Sequence, residues 1–110
     1  LGQHFLNDGL VLQKIIQALE IKPSNTVVEI GAGNGDLTFQ LALTGARILA
    51  LEKDYRLIGY LRQRLSRFKN ATLIPADARF FAYPETGYKV VGNLPYNVAS
   101  FLLRKLVTSK

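Results

Sequence analysis

The sequence predicts an α/β fold in which a parallel β-sheet packs against helices. Segments whose apolar residues recur at helical spacing alternate with short apolar runs, and this alternation is typical of β-α-β units. The runs at residues 26–30 and 47–51 are nearly continuous, as expected of parallel strands that are buried on both faces. A chain of 110 residues is long enough to form one such domain.

The first half of the chain divides into helix, strand, helix and strand. Apolar residues at helical spacing predict a helix over residues 7–20. The strand at 26–30 leads into a glycine-rich loop over 31–35, and a helix over 36–44 follows the loop. The strand at 47–51 completes this half.

The second half repeats the alternation. Asp54 caps a predicted helix that extends to about residue 68. Short strands follow at residues 72–75 and 88–92, with a loop between them. A final helix is predicted over residues 98–107.

The composition excludes several classes of protein. The chain contains no cysteine, which rules out disulfide scaffolds, zinc fingers, iron–sulfur sites and thiol nucleophiles, and a reducing cytoplasm is the expected location. No apolar run approaches the ~18 residues of a membrane span, and no secretory leader opens the sequence. His4 is the only histidine and lacks the partners of a catalytic triad, so we predict neither a triad nor a metal site.

The net charge of +6 points to a nucleic-acid partner. Five basic residues and no acidic residue lie between Tyr55 and Ala76. A one-sided basic surface attracts phosphate groups, but a solvated helix face has the same pattern, so both interpretations stay open. The five residues are Arg56, Arg62, Arg64, Arg67 and Lys69.

Glycine or polar features stand at the ends of four successive predicted strands. They are the glycine loop at 31–35, Glu52, Asp77 and Asn93. In an open parallel sheet the carboxyl ends of the strands line the ligand crevice. Together the four features predict a ligand site at one edge of the sheet.

The glycine loop and Glu52 suit an adenosine-containing cofactor. The spacing G-x-G-x-G differs from the G-x-G-x-x-G of dinucleotide-binding loops, and Glu29, just before the loop, suits a ligand with a cationic amino acid end. Glu52 follows Gly31 by 21 residues, where a carboxylate can accept both hydroxyl protons of a ribose. The alternatives are a plain strand–helix turn and an exposed acid paired with Lys53 or Arg56.

Two further strand ends offer contacts to a base. Asp77 could accept a hydrogen from an adenine amino group, or it could cap a turn, for which aspartate is a favoured residue. The segment NLPY at residues 93–96 offers an amide oxygen, a proline that stiffens the loop, and an aromatic face on which a base can stack. An ordinary loop with a packed aromatic residue is the alternative for this segment.

Five stretches of the sequence resemble the ribosomal RNA adenine N6-dimethyltransferases, a family of S-adenosylmethionine-dependent enzymes. The resemblance is to the small-subunit branch of that family, and the related macrolide-resistance 23S methyltransferases share most of the pattern. The stretches, in family order, are GQHFLND at residues 2–8, VEIGAGNG at 28–35, LE at 51–52, ADA at 76–78 and GNLPYN at 92–97.

The resemblance implies a fold and a place in a larger protein. The fold is a Rossmann-like class I methyltransferase core, in which the first four strands lie in the order 3-2-1-4. Family members are considerably longer and carry a small helical domain after the catalytic one. Residues 1–110 are therefore expected to be the amino-terminal part of the catalytic domain. The parallel sheet is expected to stop after its fourth strand, at residues 88–92, and to leave that strand as an exposed edge.

The resemblance also implies roles for individual residues. The amino-terminal arm closes over the cofactor, S-adenosylmethionine, and the glycine loop passes under its methionine part. The ends of the second and third strands contact its ribose and adenine. The implied cofactor-binding residues are His4, Leu6, Gly31, Ala32, Gly33, Glu52, Lys53, Asp77, Ala78 and Asn93. The implied catalytic residues, which hold the target adenine, are Asn93, Leu94, Pro95 and Tyr96.

The implied reaction is methylation, and in a second round dimethylation, of the N6 amine of an adenine. The implied partner is ribosomal RNA or a small-subunit precursor, with no membrane contact. The target base has to leave its stack before Asn93 can bind the amine. Two departures from the family pattern are His4, where asparagine is usual, and the segment VAS at 98–100, where Ile-Ser-Thr is common.

Two other functions stay open on the residues alone. One is half of a nicotinamide-dependent oxidoreductase, although the glycine spacing and the NLPY segment speak against it. The other is a non-catalytic RNA-binding or ribosome-assembly module, which would use the basic residues between 56 and 69 and retain only a vestigial pocket.

Overall fold

The computed structural model describes residues 9–93 and 101–106 of the chain. Within these ranges helices and strands alternate as predicted up to residue 93, and no helix is long and apolar enough to cross a membrane. Short 3₁₀ turns at Tyr55–Leu57 and Ala78–Phe80 follow the second and third strands. The helices are α1 (Gly9–Leu19), α2 (Asp36–Leu43) and α3 (Ile58–Arg64), and the strands are β1 (Thr26–Ile30), β2 (Arg47–Glu52), β3 (Ala71–Pro75), β4 (Tyr88–Asn93) and β5 (Phe101–Leu106).

The five strands form one sheet in the order β3-β2-β1-β4-β5. Strand β1 lies at the centre and pairs in parallel with β2 and β4, so that Ile30 stands beside Leu51 and Gly92. Strand β2 pairs in parallel with β3, which places Glu52 beside Pro75. The parallel direction of the first four strands and their order 3-2-1-4 confirm the predicted fold class.

The chain after β4 differs from its prediction. The sequence predicts a helix over residues 98–107, whereas Phe101–Leu106 forms β5 and runs antiparallel to β4, with Asn93 paired to Phe101. The parallel part of the sheet ends at its fourth strand, as predicted, but β4 is not an exposed edge, because the antiparallel strand β5 pairs with it. The free N–H and C=O groups of an edge strand bind a following extended segment, and this pairing overrides the helical preference of leucine, arginine and lysine. Residues 98–100 and 107 lie outside the described residues.

Helix α3 is shorter than predicted. It ends at Arg64 instead of continuing to about residue 68, because the chain turns there. The amides of Ser66 and Phe68 donate to the carbonyls of Gln63 and Leu65 in this turn. The turn lets the chain enter β3 at the edge of the sheet.

The core lies on both faces of β1 and β2. Val27 and Val28 are both fully buried and point to opposite faces, because successive residues of a strand alternate. Helices α1 and α2 cover the face of Val27, and aromatic residues of the segment before and at the start of β4 cover the face of Val28. The first cluster includes Leu12, Ile15, Leu19, Leu37, Leu41, Ile48 and Val91, and the second joins Leu49 and Leu51 to Phe81, Tyr83 and Tyr88.

A buried lysine joins β4 to the end of α1. The Nζ atom of Lys89 donates to the main-chain oxygen of Leu19 at 2.6 Å and to that of Glu20 at 2.8 Å. The last carbonyls of a helix lack partners within the helix and carry partial negative charge, so a cation is favourable there. The sequence analysis misses this contact because it joins residues far apart in the chain.

Candidate functional site

The carboxyl ends of β1 to β4 meet at one edge of the sheet. Ile30, the last residue of β1, stands beside Leu51 and Gly92, and the glycine loop begins directly after it. Asp77 follows β3, whose last residue pairs with Glu52. The four features that the sequence places at strand ends therefore share this edge, as predicted.

The glycine loop has an open side. Gly31 and Gly33 have positive φ angles of 76° and 61°, which favour glycine. The amides of Gly31 and Ala32 both donate to the carbonyl of Leu51 at 2.9 Å, which fixes the start of the loop on β2. Among the described residues, a Cβ atom at Gly31 would meet nothing within 4 Å, and one at Gly33 would meet only the Gly31 oxygen at 3.9 Å. A ligand can therefore lie directly against the backbone here.

The other side of the loop is closed by α3. A Cβ atom at Gly35 would lie 3.0 Å from Cδ2 of Leu61 and 3.4 Å from Cδ of Arg64, so the third glycine is required by packing. The Nη1 atom of Arg64 donates to the Asn34 main-chain oxygen at 2.8 Å and to Oδ1 of Asp36 at 2.8 Å. Helix α3 thereby holds both the loop and the start of α2.

Glu52 ends β2 and is buried at the site. Its Oε1 atom accepts the amide hydrogen of Gly33 at 2.7 Å, and its Oε2 atom accepts that of Asp54 at 2.9 Å. These two bonds fix the plane of the carboxylate. Each carboxylate oxygen can accept two hydrogens, so each retains the capacity for one more donor, which is what a pair of ribose hydroxyls would need.

Glu29 is a second buried carboxyl group close to Glu52. It lies in β1, is 2% exposed, and accepts a hydrogen bond from the Thr38 hydroxyl of α2. Burial raises the pKa of Glu29 from 4.5 to about 8, the Thr38 hydrogen bond opposes this change, and the negative charge of Glu52 adds to it. Glu29 therefore holds its proton at neutral pH.

Asp77 caps the 3₁₀ turn after β3. Its Oδ1 atom accepts the amide hydrogen of Arg79 at 2.9 Å, and its Oδ2 atom lies 2.7 Å from Nη2 of the same arginine. The Arg79 guanidinium holds the pKa of Asp77 well below its usual range, and the charge of exposed Lys53 acts in the same direction. The turn interpretation is confirmed. The carbonyl of Ala78 accepts a hydrogen from the Tyr83 hydroxyl at 2.9 Å, which holds the turn against the sheet.

The basic run after Tyr55 is not a uniform basic surface. Arg56 pairs with Asp54, and the guanidinium of Arg67 lies over the rings of Phe39 and Phe68 at 5.0 and 5.1 Å. Arg64 is bound to the glycine loop, as described above. Partners inside the fold therefore engage these three of the five basic side chains.

Comparison with known proteins gives the family. A sequence model described as "Ribosomal RNA adenine dimethylase" matches residues 1–110, which is the whole chain. The chain belongs to this family. The predicted resemblance is thereby confirmed, and the nicotinamide-dependent alternative loses its basis.

Curated relatives of this chain carry small-subunit names. The chain is 42% identical over 110 residues to "Ribosomal RNA small subunit methyltransferase A" of Thermotoga maritima, and it covers 39% of that protein. It is 42% identical over 108 residues to the "Probable ribosomal RNA small subunit methyltransferase A" of Methanosarcina mazei. This match covers 98% of the chain and 40% of that protein. The chain thus spans about two fifths of the length of these relatives.

Solved structures show the same fold. The chain is similar to the 23S rRNA methyltransferase ErmE with a TM-score of 0.76 and 32% identity, covering 84% of this chain and 38% of that one. It is similar to a dimethyladenosine transferase from Plasmodium falciparum with a TM-score of 0.71 and 30% identity, covering 84% of this chain and 34% of that one. These similarities confirm the predicted Rossmann-like methyltransferase core.

The structure brings together most of the site residues predicted for a dimethylase of this family. Glu52 contacts the glycine loop directly, and Lys53, Asp77 and Ala78 lie at the neighbouring strand ends. Asn93 is the last residue of β4, which puts its backbone at the same edge. The other predicted site residues lie outside the described residues; they are His4, Leu6, Leu94, Pro95 and Tyr96.

Sequence reasoning misses two residues at this candidate site. Thr38 binds Glu29, and Arg64 binds the glycine loop. A threonine in an amphipathic helix carries no signal of its own, and Arg64 is hidden within a run of basic residues. Each contact joins separate elements, so only the folded structure reveals it.

Proposed function

We propose that this chain forms the cofactor-binding part of an S-adenosylmethionine-dependent enzyme that methylates the N6 amine of adenine in ribosomal RNA. The observation that carries the proposal is the position of Glu52. Its buried carboxylate is bonded to the glycine loop, beside the open face of Gly31 and Gly33. An adenosine cofactor with an amino acid end needs a hydrogen-bond acceptor for the two hydroxyl groups of its ribose. Its amino acid end needs main-chain atoms that it can approach closely. This edge of the sheet offers both.

The residues present fit this cofactor. The open side of the loop leaves the backbone accessible to its methionine part, and the two oxygens of Glu52 each retain the capacity to accept a hydrogen from one ribose hydroxyl. We assign Lys53, Asp77 and Ala78 to the adenosine end, because they follow the strand ends next to Glu52. When bound, the cofactor supplies the methyl group.

We assign the target adenine to the end of β4. Asn93 stands there, one strand away from the glycine loop, and the family pattern continues through Leu94, Pro95 and Tyr96. In this proposal Asn93 accepts a hydrogen from the target amine, and Tyr96 stacks on the base, which contributes about 1–3 kcal/mol. The amine needs no strong base, because its nitrogen becomes cationic as it accepts the methyl group and its proton can then leave to water. Positioning supplies much of the rate enhancement.

The names of the relatives support a small-subunit substrate. We therefore propose small-subunit ribosomal RNA or its precursor as the partner, dimethylation as the outcome, and the cytoplasm as the location. We also propose that residues 1–110 are the amino-terminal part of the catalytic domain, since the chain covers 39% of the Thermotoga maritima relative.

Calorimetric titration with S-adenosylmethionine, with NAD as the control ligand, tests the proposal. We expect the first ligand to bind and NAD not to bind. Glu52→Ala should weaken binding by at least about tenfold, because a hydrogen bond to a charged acceptor is lost at each hydroxyl. The matched control is Glu85→Gln, which removes a charge from an exposed side chain and should leave the affinity unchanged.

Two results would contradict the proposal. Unchanged affinity in Glu52→Ala would remove the assigned role of that carboxylate. Binding of neither ligand, together with salt-dependent RNA binding, would favour the non-catalytic RNA-binding module instead.

A further inference from the structure

The glycine loop is held from its closed side by one side chain. Arg64, in the last turn of α3, stands 30 positions after Asn34 in the chain, yet its Nη1 atom lies 2.8 Å from the Asn34 main-chain oxygen. The same nitrogen lies 2.8 Å from Oδ1 of Asp36, the first residue of α2. A terminal guanidinium nitrogen carries two hydrogens, so one atom serves both acceptors.

These contacts are partly shielded from solvent. The side chains of Arg64 and Asp36 are 28% and 24% exposed, which reduces but does not abolish screening of the ion pair by water and salt. The aliphatic stem of Arg64 also packs against Gly35, where its Cδ atom is 3.4 Å from the position of a Cβ. The arginine therefore combines a charged hydrogen bond with a steric boundary on the same side of the loop.

A loop with three glycines requires such support. Glycine loses more backbone entropy on ordering than any other residue, and the loop contains three within five positions. On its open side, Gly33 is bonded to Glu52, and within the loop Oδ1 of Asn34 accepts the amide hydrogen of Asp36 at 3.0 Å. Without Arg64, the loop would lose the bond that joins Asn34 to α3, and the additional ordering needed when a ligand binds would weaken the affinity.

We propose that Arg64 is a positioning residue, which preorganises residues 31–35 for the amino acid end of the cofactor. The proposal rests on the proposed function for the identity of the ligand, but not for the state of the loop. In this proposal Arg64 has a different role from its exposed neighbour Arg62, although the sequence places both in the same basic run. Arg64 faces the loop and is not available as an RNA contact.

Amide hydrogen exchange without any ligand tests the loop directly. Arg64→Met keeps the aliphatic stem and removes both donors, and Arg62→Met is the matched control with the same loss of charge on the same helix. We expect the amides of Gly33 and Gly35 to exchange about tenfold faster or more in Arg64→Met, with no change at Ala50 in the centre of β2. Equal exchange at these glycines in both variants would overturn the proposal.

A second variant covers the case in which Arg64→Met unfolds the chain. Asp36→Asn retains Arg64 and its packing but removes the charge of one acceptor. We expect it to accelerate exchange at Gly35 by a smaller factor than Arg64→Met does. No acceleration at Gly35 in Asp36→Asn would also contradict the positioning role of Arg64.

Ligand binding then separates positioning from general stability. S-adenosylhomocysteine carries the amino acid end, and 5′-methylthioadenosine lacks it. Arg64→Met should raise the Kd of the first about tenfold and change that of the second by no more than about twofold. Equal weakening of both ligands would show that Arg64 acts only on overall stability. If the wild-type chain bound neither ligand, the proposed function would fail. The exchange result would still decide whether Arg64 orders the glycine loop.

Discussion

The buried position of Glu29 predicts how the free energy of unfolding depends on pH. Its carboxyl group is buried in β1, next to the carboxylate of Glu52, and it accepts a hydrogen from Thr38. Glu29→Gln keeps the shape and the oxygen that accepts this hydrogen bond but removes the titrating proton. We expect this variant to lose the part of the pH dependence of stability that Glu29 causes in the wild-type chain.

The sign follows from the two pKa values. Burial raises the pKa of Glu29 to about 8 in the folded chain, against 4.5 when the group is exposed. Between these values the folded state holds a proton that the unfolded state has released, so the contribution of Glu29 to stability is fully present below pH 4.5 and is lost as the pH rises toward about 8. The slope is about 1.4 kcal/mol per pH unit, which gives a loss of at most about 2.5 kcal/mol between about pH 5.5 and about pH 7.5.

Urea denaturation of the wild-type chain and of Glu29→Gln at these two pH values measures the effect. We expect the free energy of unfolding of the wild type to fall more steeply with pH than that of the variant. Glu85→Gln is the control, since it removes an exposed carboxylate and should follow the wild type. Parallel pH dependence in the wild type and Glu29→Gln would refute the reasoning, because it would mean that Glu29 is ionised in the fold at neutral pH.

Three further changes test other parts of the structure. Gly35→Ala should destabilise the chain by more than Gly31→Ala in thermal unfolding, because both have positive φ but only Gly35 lacks space for a Cβ atom. Arg79→Ala should leave the melting temperature nearly unchanged and, in an NMR titration, move the pKa of Asp77 toward its ordinary value. Leu41→Ala, in a fully buried position, should lower the free energy of unfolding by about 3 kcal/mol in urea denaturation, and a loss below about 1 kcal/mol would contradict its place in the core.

The parts of the fold that local pattern determines were predicted well. The continuous apolar run of β2 is buried at every position after Arg47, as a central parallel strand requires. The glycine loop and Glu52 could be placed at one edge because a parallel sheet brings all strand ends with the same direction together. Asp77 was correctly interpreted as a possible turn cap, since that choice depends only on its immediate neighbours.

The parts that depend on distant partners were not predicted. Residues 101–106 have a helical composition, but their pairing with β4 decides their structure. Lys89 and Thr38 carry polar groups into buried positions, and neither position looks unusual until its partner in another element is known. Arg64 was predicted only as one of five basic residues, because the sequence does not show that it turns toward the loop.

The three glycines of the loop have two different structural roles. Gly31 and Gly33 keep the open side free of side chains, where a Cβ atom would project into space that a ligand can use. Position 35 requires glycine for a different reason, because a Cβ atom there would press against Leu61 and the stem of Arg64. The spacing G-x-G-x-G therefore records a loop that lies between a ligand on one side and α3 on the other. A dinucleotide-binding loop places its third glycine one position later, so the two loops differ in where the backbone must approach a packed helix closely.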